Sequence, residues 1–344
     1  MKSLNTSIFG NTLDGRAVNC ITISDGEGSS ADILNFGAAL RAVRVKGRNG
    51  KPIDVCLGYD TCTPYESGSS CMGGLMGRCV NRIAGSHFSI DGKSFDVSPN
   101  RGSYHIHGGW CGFHKKLWDF KADDRSVILN YTSENLEEGY PGTLKVTATY
   151  SWKGPGLLSL LMQAETNAPT VVNLTSHTYF NLDGTKDILS ERLSINSSDY
   201  VFSGENGIPT GRLIPVFGTP FDFSSQRTIG ERIHNADPML QKCGGYDVCY
   251  LPIGEGRRRV AVLESDYSGI RMEVESDLPA LQLYTANALC DKFGKNGTVY
   301  RPWSGVCLEP QYVPNAVNLS GFEKPIFTPE RQYSHSINYC FSCL

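Results

Sequence analysis

Leu144-Lys-Val-Thr-Ala-Thr-Tyr150 alternates apolar with polar residues at every step, the period of a pleated strand with one buried face and one wet face. Ile270-Arg-Met-Glu-Val274 repeats the pattern, and Val260-Ala-Val-Leu263 is a continuous apolar run of strand length. Leu157 to Ala164 is another apolar run, which period alone leaves open between strand and buried helix; strand is the expectation. Glycine is abundant, 37 of 344 residues, and the pairs Asn49-Gly50, Asp91-Gly92 and Asp183-Gly184 fall between runs at hairpin-like positions. Together these predict an all-β fold built as an antiparallel meander. One short helix is expected over Thr228-Ile-Gly-Glu-Arg-Ile233, where Ile229 and Ile233 are four apart, with Asp237-Pro238 stopping it. No repeat, low-complexity segment or linker divides the chain, so residues 1–344 are expected to form one domain, as large β-sandwiches can.

The net charge of −3 is spread along the chain without a long basic run, which argues against nucleic acid or an anionic membrane as partner and for a neutral small molecule. The opening Met1-Lys-Ser-Leu-Asn-Thr6 lacks the apolar stretch of a signal peptide, and no window approaches the ~18 apolar residues of a membrane helix; a cytoplasmic protein is the expectation. The twelve cysteines are scattered, so free thiols are expected rather than a disulfide framework. Cys340-Phe-Ser-Cys343 has no second pair to complete a zinc site. His105 and His107 could share one face of a strand, but no carboxylate or cysteine cluster accompanies them, and no metal is expected. The last three residues, Ser342-Cys343-Leu344, have the outer residues of a Ser-Lys-Leu peroxisomal signal without its basic centre, so an untagged terminus is favoured.

Chemistry concentrates in two stretches. Asn173-Leu-Thr-Ser-His-Thr-Tyr-Phe-Asn-Leu182 sets His177 among small polar and aromatic residues, and Leu308-Glu-Pro-Gln-Tyr-Val-Pro-Asn315 offers Glu309 in a proline-braced segment. A histidine titrates near neutral pH, so the two could serve as acid and base. Four more stretches present Asn81 and Arg82, His107, Asp247 and Gln282. Each has an ordinary structural explanation: a solvated strand arginine, a hydrogen-bonded turn histidine, a turn-forming aspartate, an outward-facing glutamine. Together they are the planar polar side chains that pair with adjacent sugar hydroxyls.

The set, in this order, resembles the aldose 1-epimerase (galactose mutarotase) family. The resemblance runs from about Phe9 to Ser342 and is carried by Asn35-Phe-Gly-Ala38, Gly77-Arg-Cys-Val-Asn-Arg-Ile-Ala84, His107-Gly-Gly109, the His177 stretch, Gly245-Tyr-Asp247 and Cys307-Leu-Glu-Pro-Gln311. It implies a large antiparallel β-supersandwich with the sugar in an open cleft and neither metal nor organic cofactor. It further implies Glu309 as the base that removes the anomeric hydroxyl proton and His177 as the acid that protonates the ring oxygen. Arg82 and His107 would hold oxygens near the anomeric centre, and Asn81, Asp247 and Gln282 would orient the remaining hydroxyls. The chain departs from the family's common residues at Ser176, Val248, Tyr312 and Asn315. Two alternatives stand beside a free-sugar epimerase: a hexose-6-phosphate epimerase, which would need a cationic pocket, and a non-catalytic sugar-binding protein. The one basic cluster, Arg257-Arg258-Arg259, follows Gly254-Glu-Gly256 and reads as a solvated hairpin tip. Monomer and weak dimer are both left open.

Overall fold

The computed structural model describes residues 6–184, 187–290 and 293–344; residues 1–5, which hold most of the stretch tested for a signal peptide, lie outside them. Three larger antiparallel sheets carry the fold. The alternating strand Leu144–Gly154 lies in a nine-stranded sheet. Leu144, Val146, Ala148, Tyr150 and Trp152 are all 3% exposed or less, as alternation requires. Its neighbour Leu157–Thr166 pairs with it in register, Ala148 against Met162 and Tyr150 against Leu160, which settles the ambiguous run as strand. Ile270–Ser276 and Arg258–Glu264 lie in the same sheet.

A five-stranded meander runs from Thr6–Asn11 through Ala17–Ser24, Ser30–Leu34 and Ala39–Lys46 to Pro52–Asp54. The third sheet orders Pro209–Pro215, Ser197–Ser203, Asp247–Pro252, Ala280–Tyr284 and Cys307–Gln311. One apolar cluster joins the three: Ile33 and Val43 from the meander, Leu160 and Met272 from the nine-stranded sheet, and Leu281, Leu283 and Leu308 from the third. Leu281, Leu283 and Leu308 point into that core, so Gln282 and Glu309 point to the opposite face of their strands. Those two residues are directly paired across the sheet.

Three local expectations are corrected. Ile229–Glu231 is a single 3₁₀ turn, and Asp237-Pro238 begins a helix, Pro238–Cys243. Asp237 caps it by accepting from the Met239 N–H at 2.8 Å, and proline suits the first helical position because its missing N–H needs no partner there. Asp91-Gly92 does form a two-residue hairpin turn, both residues with positive φ, and Asn49-Gly50 joins two paired strands. Asp183-Gly184 lies in a turn, the Gly184 N–H donating to the Asn181 carbonyl, but joins no two paired strands; Asp183 is buried and accepts from the hydroxyls of Ser190 and Ser265. Arg257 and Arg259 are exposed, as a solvated tip requires, but Arg257-Arg258-Arg259 is not in a hairpin, because the strands on its two sides belong to different sheets. Arg258 donates to the carbonyls of Gly256, Ser276, Pro252 and Leu278 and ties that crossing together.

Candidate active site

The histidine stretch is held by hydrogen bonds on both sides. Asn173 exchanges amide bonds with Tyr312, its Nδ2 donating to the Tyr312 carbonyl (3.2 Å) and its Oδ1 accepting from the Tyr312 N–H (2.9 Å). Further on, Phe180 and Val306 exchange main-chain bonds of 2.8 Å in both directions. On the other flank the His177 N–H donates to the Gly74 carbonyl, and its carbonyl accepts from the Gly73 N–H. These ties bring His177 to the strand of Glu309, with Nε2 4.0 Å from Oε1. His177 is 5% exposed and Glu309 2%.

The remaining candidates close around this pair. The His107 N–H donates to the Asn81 carbonyl, and the Asn81 N–H donates to His107 Nδ1 at 3.4 Å. With Nδ1 accepting, a neutral His107 carries its hydrogen on Nε2 and presents a donor there. Both residues sit at positive φ, 62° for Asn81 and 52° for His107, a cost the surrounding bonds must offset. Next to them the chain passes so close that a Cβ on Gly108 would lie 1.7 Å from the Gly77 carbonyl oxygen, so only glycine fits. Asn81 Oδ1 accepts from Arg82, Arg82 pairs with Asp247 at 3.4 Å, and Asp247 accepts from Gln282 Nε2 at 2.6 Å. The His107 and His177 rings meet edge to face at 5.3 Å, and Tyr179 and Tyr284 pack on His177 at 5.0 and 6.1 Å. The structure thus gathers all seven sequence candidates into one cluster.

Three buried polar atoms of the cluster have no partner among the described residues: Glu309 Oε2, Gln282 Oε1 and Arg82 Nε. Buried polar groups are nearly always hydrogen-bonded, and two acceptors beside a donor suit a ligand rich in hydroxyls. Burial governs the protons. Desolvation, helped by the charge of Asp247, pushes the Glu309 carboxyl well above the usual carboxylate range, with Arg82 pulling the other way. Desolvation lowers His177 to about 4 and His107 well below its ordinary value. Burial thus favours the proton on the carboxyl over the imidazole in the free protein.

Cys307 stands in the glutamate motif but was not among the sequence candidates. It lies two positions before Glu309 on the same strand face, with Sγ 3.5 Å from His177 Nδ1; strand period alone could have flagged it. His177, Cys307 and Glu309 place ligand-type atoms within 4.8 Å of one another. The nearest contacts are thiol to Nδ1 and carboxyl to Nε2. His105 is structural, with Nδ1 2.8 Å from the Ser98 carbonyl and Nε2 2.6 Å from the Tyr140 hydroxyl. Asn35 is structural too, bridging the Asn19 N–H and the Trp118 carbonyl. Of the departures, Val248 is in the core, Ser176 bonds Thr178, Tyr312 reaches His335, and Asn315 accepts from the Ala84 N–H.

Residues 19–340 match the family model described as aldose 1-epimerase. A galactose mutarotase of Rattus norvegicus is 35% identical over 99% of both chains. An aldose 1-epimerase of Escherichia coli K12 is 31% identical over 95% of this chain and 96% of its own. Among solved structures, an aldose epimerase homologue from C. elegans superposes with a TM-score of 0.90 at 29% identity, covering 95% of this chain and all of its own. A galactose 1-epimerase from Lactobacillus acidophilus gives 0.87 at 26% identity over 99% of each. With the family model covering nearly the whole chain and relatives above 30% identity end to end, the protein belongs to the aldose 1-epimerase family.

Proposed function

We propose that this chain, acting as one domain, interconverts the α and β anomers of free hexoses such as galactose and glucose, with Glu309 and His177 as the proton-transfer pair. The observation that carries the reading is the buried Glu309–His177 pair, 4.0 Å apart, amid hydrogen-bonding atoms with no partner among the described residues. In the sugar complex the anomeric hydroxyl donates to Glu309 and the ring oxygen accepts from His177 Nε2, an arrangement that stabilises carboxylate and imidazolium. Glu309 then takes the anomeric hydroxyl proton, the C1–O1 double bond forms, the C1–O5 bond breaks, and O5 takes the proton from Nε2. Rotation about C1–C2 turns the other aldehyde face to O5, and the reversed transfers close the ring to the other anomer. Each positioned transfer contributes about 10²–10⁴-fold. Arg82 and His107 hold oxygens at the anomeric carbon, while Asn81, Asp247 and Gln282 orient the others.

Free sugar is favoured over hexose 6-phosphate because Arg82 is already paired with Asp247, and the Arg257–Arg259 cluster is engaged elsewhere: Arg258 with carbonyls, Arg259 with Glu273 and Arg257 with the Ser336 hydroxyl. A cytoplasmic location fits this substrate; among the described residues no helix is long and apolar enough to cross a membrane. Polarimetry of freshly dissolved α-galactose, against the spontaneous rate, tests the reading. Acceleration is expected, with losses in Glu309→Gln and His177→Asn that are far from additive in the double variant. A Glu309→Gln protein that binds sugar and keeps near wild-type mutarotation rules out Glu309 as the base. A higher kcat/KM for glucose 6-phosphate than for glucose rules out the substrate class.

A further inference from the structure

Two side chains of one strand bracket the imidazole of His177. Cys307 and Glu309, two residues apart on Cys307–Gln311, project from the same face; the sulfur lies 3.5 Å from Nδ1 and a carboxyl oxygen 4.0 Å from Nε2. We infer that Cys307 is a positioning residue whose sulfur accepts a hydrogen bond from His177 Nδ1–H, leaving Nε2 as the nitrogen that gives and takes the catalytic proton. The inference rests on the acid–base reading above.

The proton cycle demands this arrangement. When Nε2 passes its proton to the sugar ring oxygen, the neutral imidazole that remains must carry its hydrogen on Nδ1, and Nε2 must be bare to take the proton back. A hydrogen on Nε2 with Nδ1 bare would block the return step. Nδ1–H has two acceptors within reach, the carbonyl of His177 itself and the Cys307 sulfur. The carbonyl belongs to the same residue and moves with the ring; the sulfur belongs to the strand of Glu309 and ties the imidazole to its partner. Cys307 is 0% exposed, and burial with the nearby Glu309 pushes its thiol well above the ordinary range. It therefore stays neutral and cannot trap His177 as a thiolate–imidazolium pair. In the complex, where the ring is cationic, Nδ1–H becomes a charge-assisted donor, so the bond strengthens in the state that must be held in a dry site. Tyr179 and Tyr284 pack on the ring, whereas the Nδ1 partner fixes its angle within its own plane.

Polarimetry of Cys307→Ala and Cys307→Ser, with ¹⁵N NMR of the His177 ring in the wild-type protein assigned through His177→Asn, tests this. Alanine removes the acceptor and should lower kcat about three- to tenfold, the factor one neutral hydrogen bond contributes, with KM unchanged. Serine keeps an acceptor and should stay within about twofold of wild type. A purely packing role predicts the opposite order, because a hydroxyl fits an apolar cluster worse than a methyl. The spectrum should show a hydrogen on Nδ1 of the neutral ring. Serine as impaired as alanine, or a neutral ring with its hydrogen on Nε2, overturns the inference. An Nδ1–H signal in a protein without mutarotation supports the ring geometry and sinks the epimerase reading instead.

Discussion

Replacing Glu309 with glutamine should destroy activity and stabilise the protein, and the second effect should depend on pH in a calculable way. Glu309 is 2% exposed, one of its oxygens has no partner among the described residues, and its carboxyl is held well above the ordinary value of 4.5. The folded state therefore keeps a proton that the unfolded chain releases as pH rises past 4.5. Because the folded state binds more protons, the unfolding free energy falls with rising pH, by about 1.4 kcal/mol per pH unit, until the folded carboxyl ionises. Glutamine has the same shape and no such titration. Relative to its value near pH 4.5, the stability of Glu309→Gln over wild type should grow by up to about 1.4 kcal/mol for each pH unit above it, until the folded carboxyl ionises. Other titrations are common to both proteins and cancel in the difference. Urea unfolding at one-unit intervals from pH 4.5 to 7.5 measures the gap, and polarimetry of the same preparations should show kcat down at least ~10²-fold. A stability gap that stays constant with pH refutes the reasoning, because it would mean that Glu309 is ionised in the free protein.

Protonation of the pair also sets the pH–rate profile. In kcat/KM, which reports the free enzyme, the acid limb should fall near pH 4 as His177 takes a second proton, and the alkaline limb should track loss of the Glu309 proton; an acid limb near 6.5 would show that His177 is not desolvated. Asp247→Ala leaves Gln282 Nε2 and one Arg82 nitrogen without their partner and should raise KM at little changed kcat, whereas a large fall in kcat at constant KM would make Asp247 catalytic. Four histidines, the buried His105, His114 and His177 and the partly buried His107, all have pKa values lowered by desolvation. The unfolded state therefore gains protons first, and stability should drop as pH falls from 6.5 toward 4, by up to about 1.4 kcal/mol per unit for each histidine. Glu191 and Glu309, both raised by burial, oppose this above 4.5. Flat stability between pH 6.5 and 5 would contradict the desolvation of the four rings.

Local period made the strands legible in the sequence. The alternation at Leu144-Lys-Val-Thr-Ala-Thr-Tyr150 reports one core-facing side, and that side is buried. Where one local signal serves two structures, reading fails: Asp-Pro suits both the end of a helix and its first turn, and the residues after Pro238 decide between them. In the arginine cluster Arg257 and Arg259 are exposed as their sequence suggests, whereas Arg258 misled because its carbonyl partners Ser276 and Leu278 are remote in sequence. The seven site candidates came from stretches scattered along the chain, and only the folded chain reveals that Asn81, Arg82, Asp247 and Gln282 are joined by hydrogen bonds in that order. Cys307 was passed over although strand period places it on the face of Glu309, because a lone thiol does not reveal its partner until the fold brings His177 beside it.

The two reciprocal ties that flank the acid and the base have unequal spans. From Asn173 to Phe180 the histidine segment is one residue longer than the stretch from Val306 to Tyr312 between the same two ties. Asn173 makes its tie through its side-chain amide, and Thr175–Ser176 pairs with Leu75–Met76, so the two pinned segments face each other without forming a matched ladder. The middle of the histidine segment, residues 177–179, joins no ladder with the glutamate strand. A change of length within either span, even by a single residue distant from both reactive atoms, would change how the two segments face each other. Drift in these two intervals should be confined to substitution, while insertions and deletions accumulate in the loops beyond the ties.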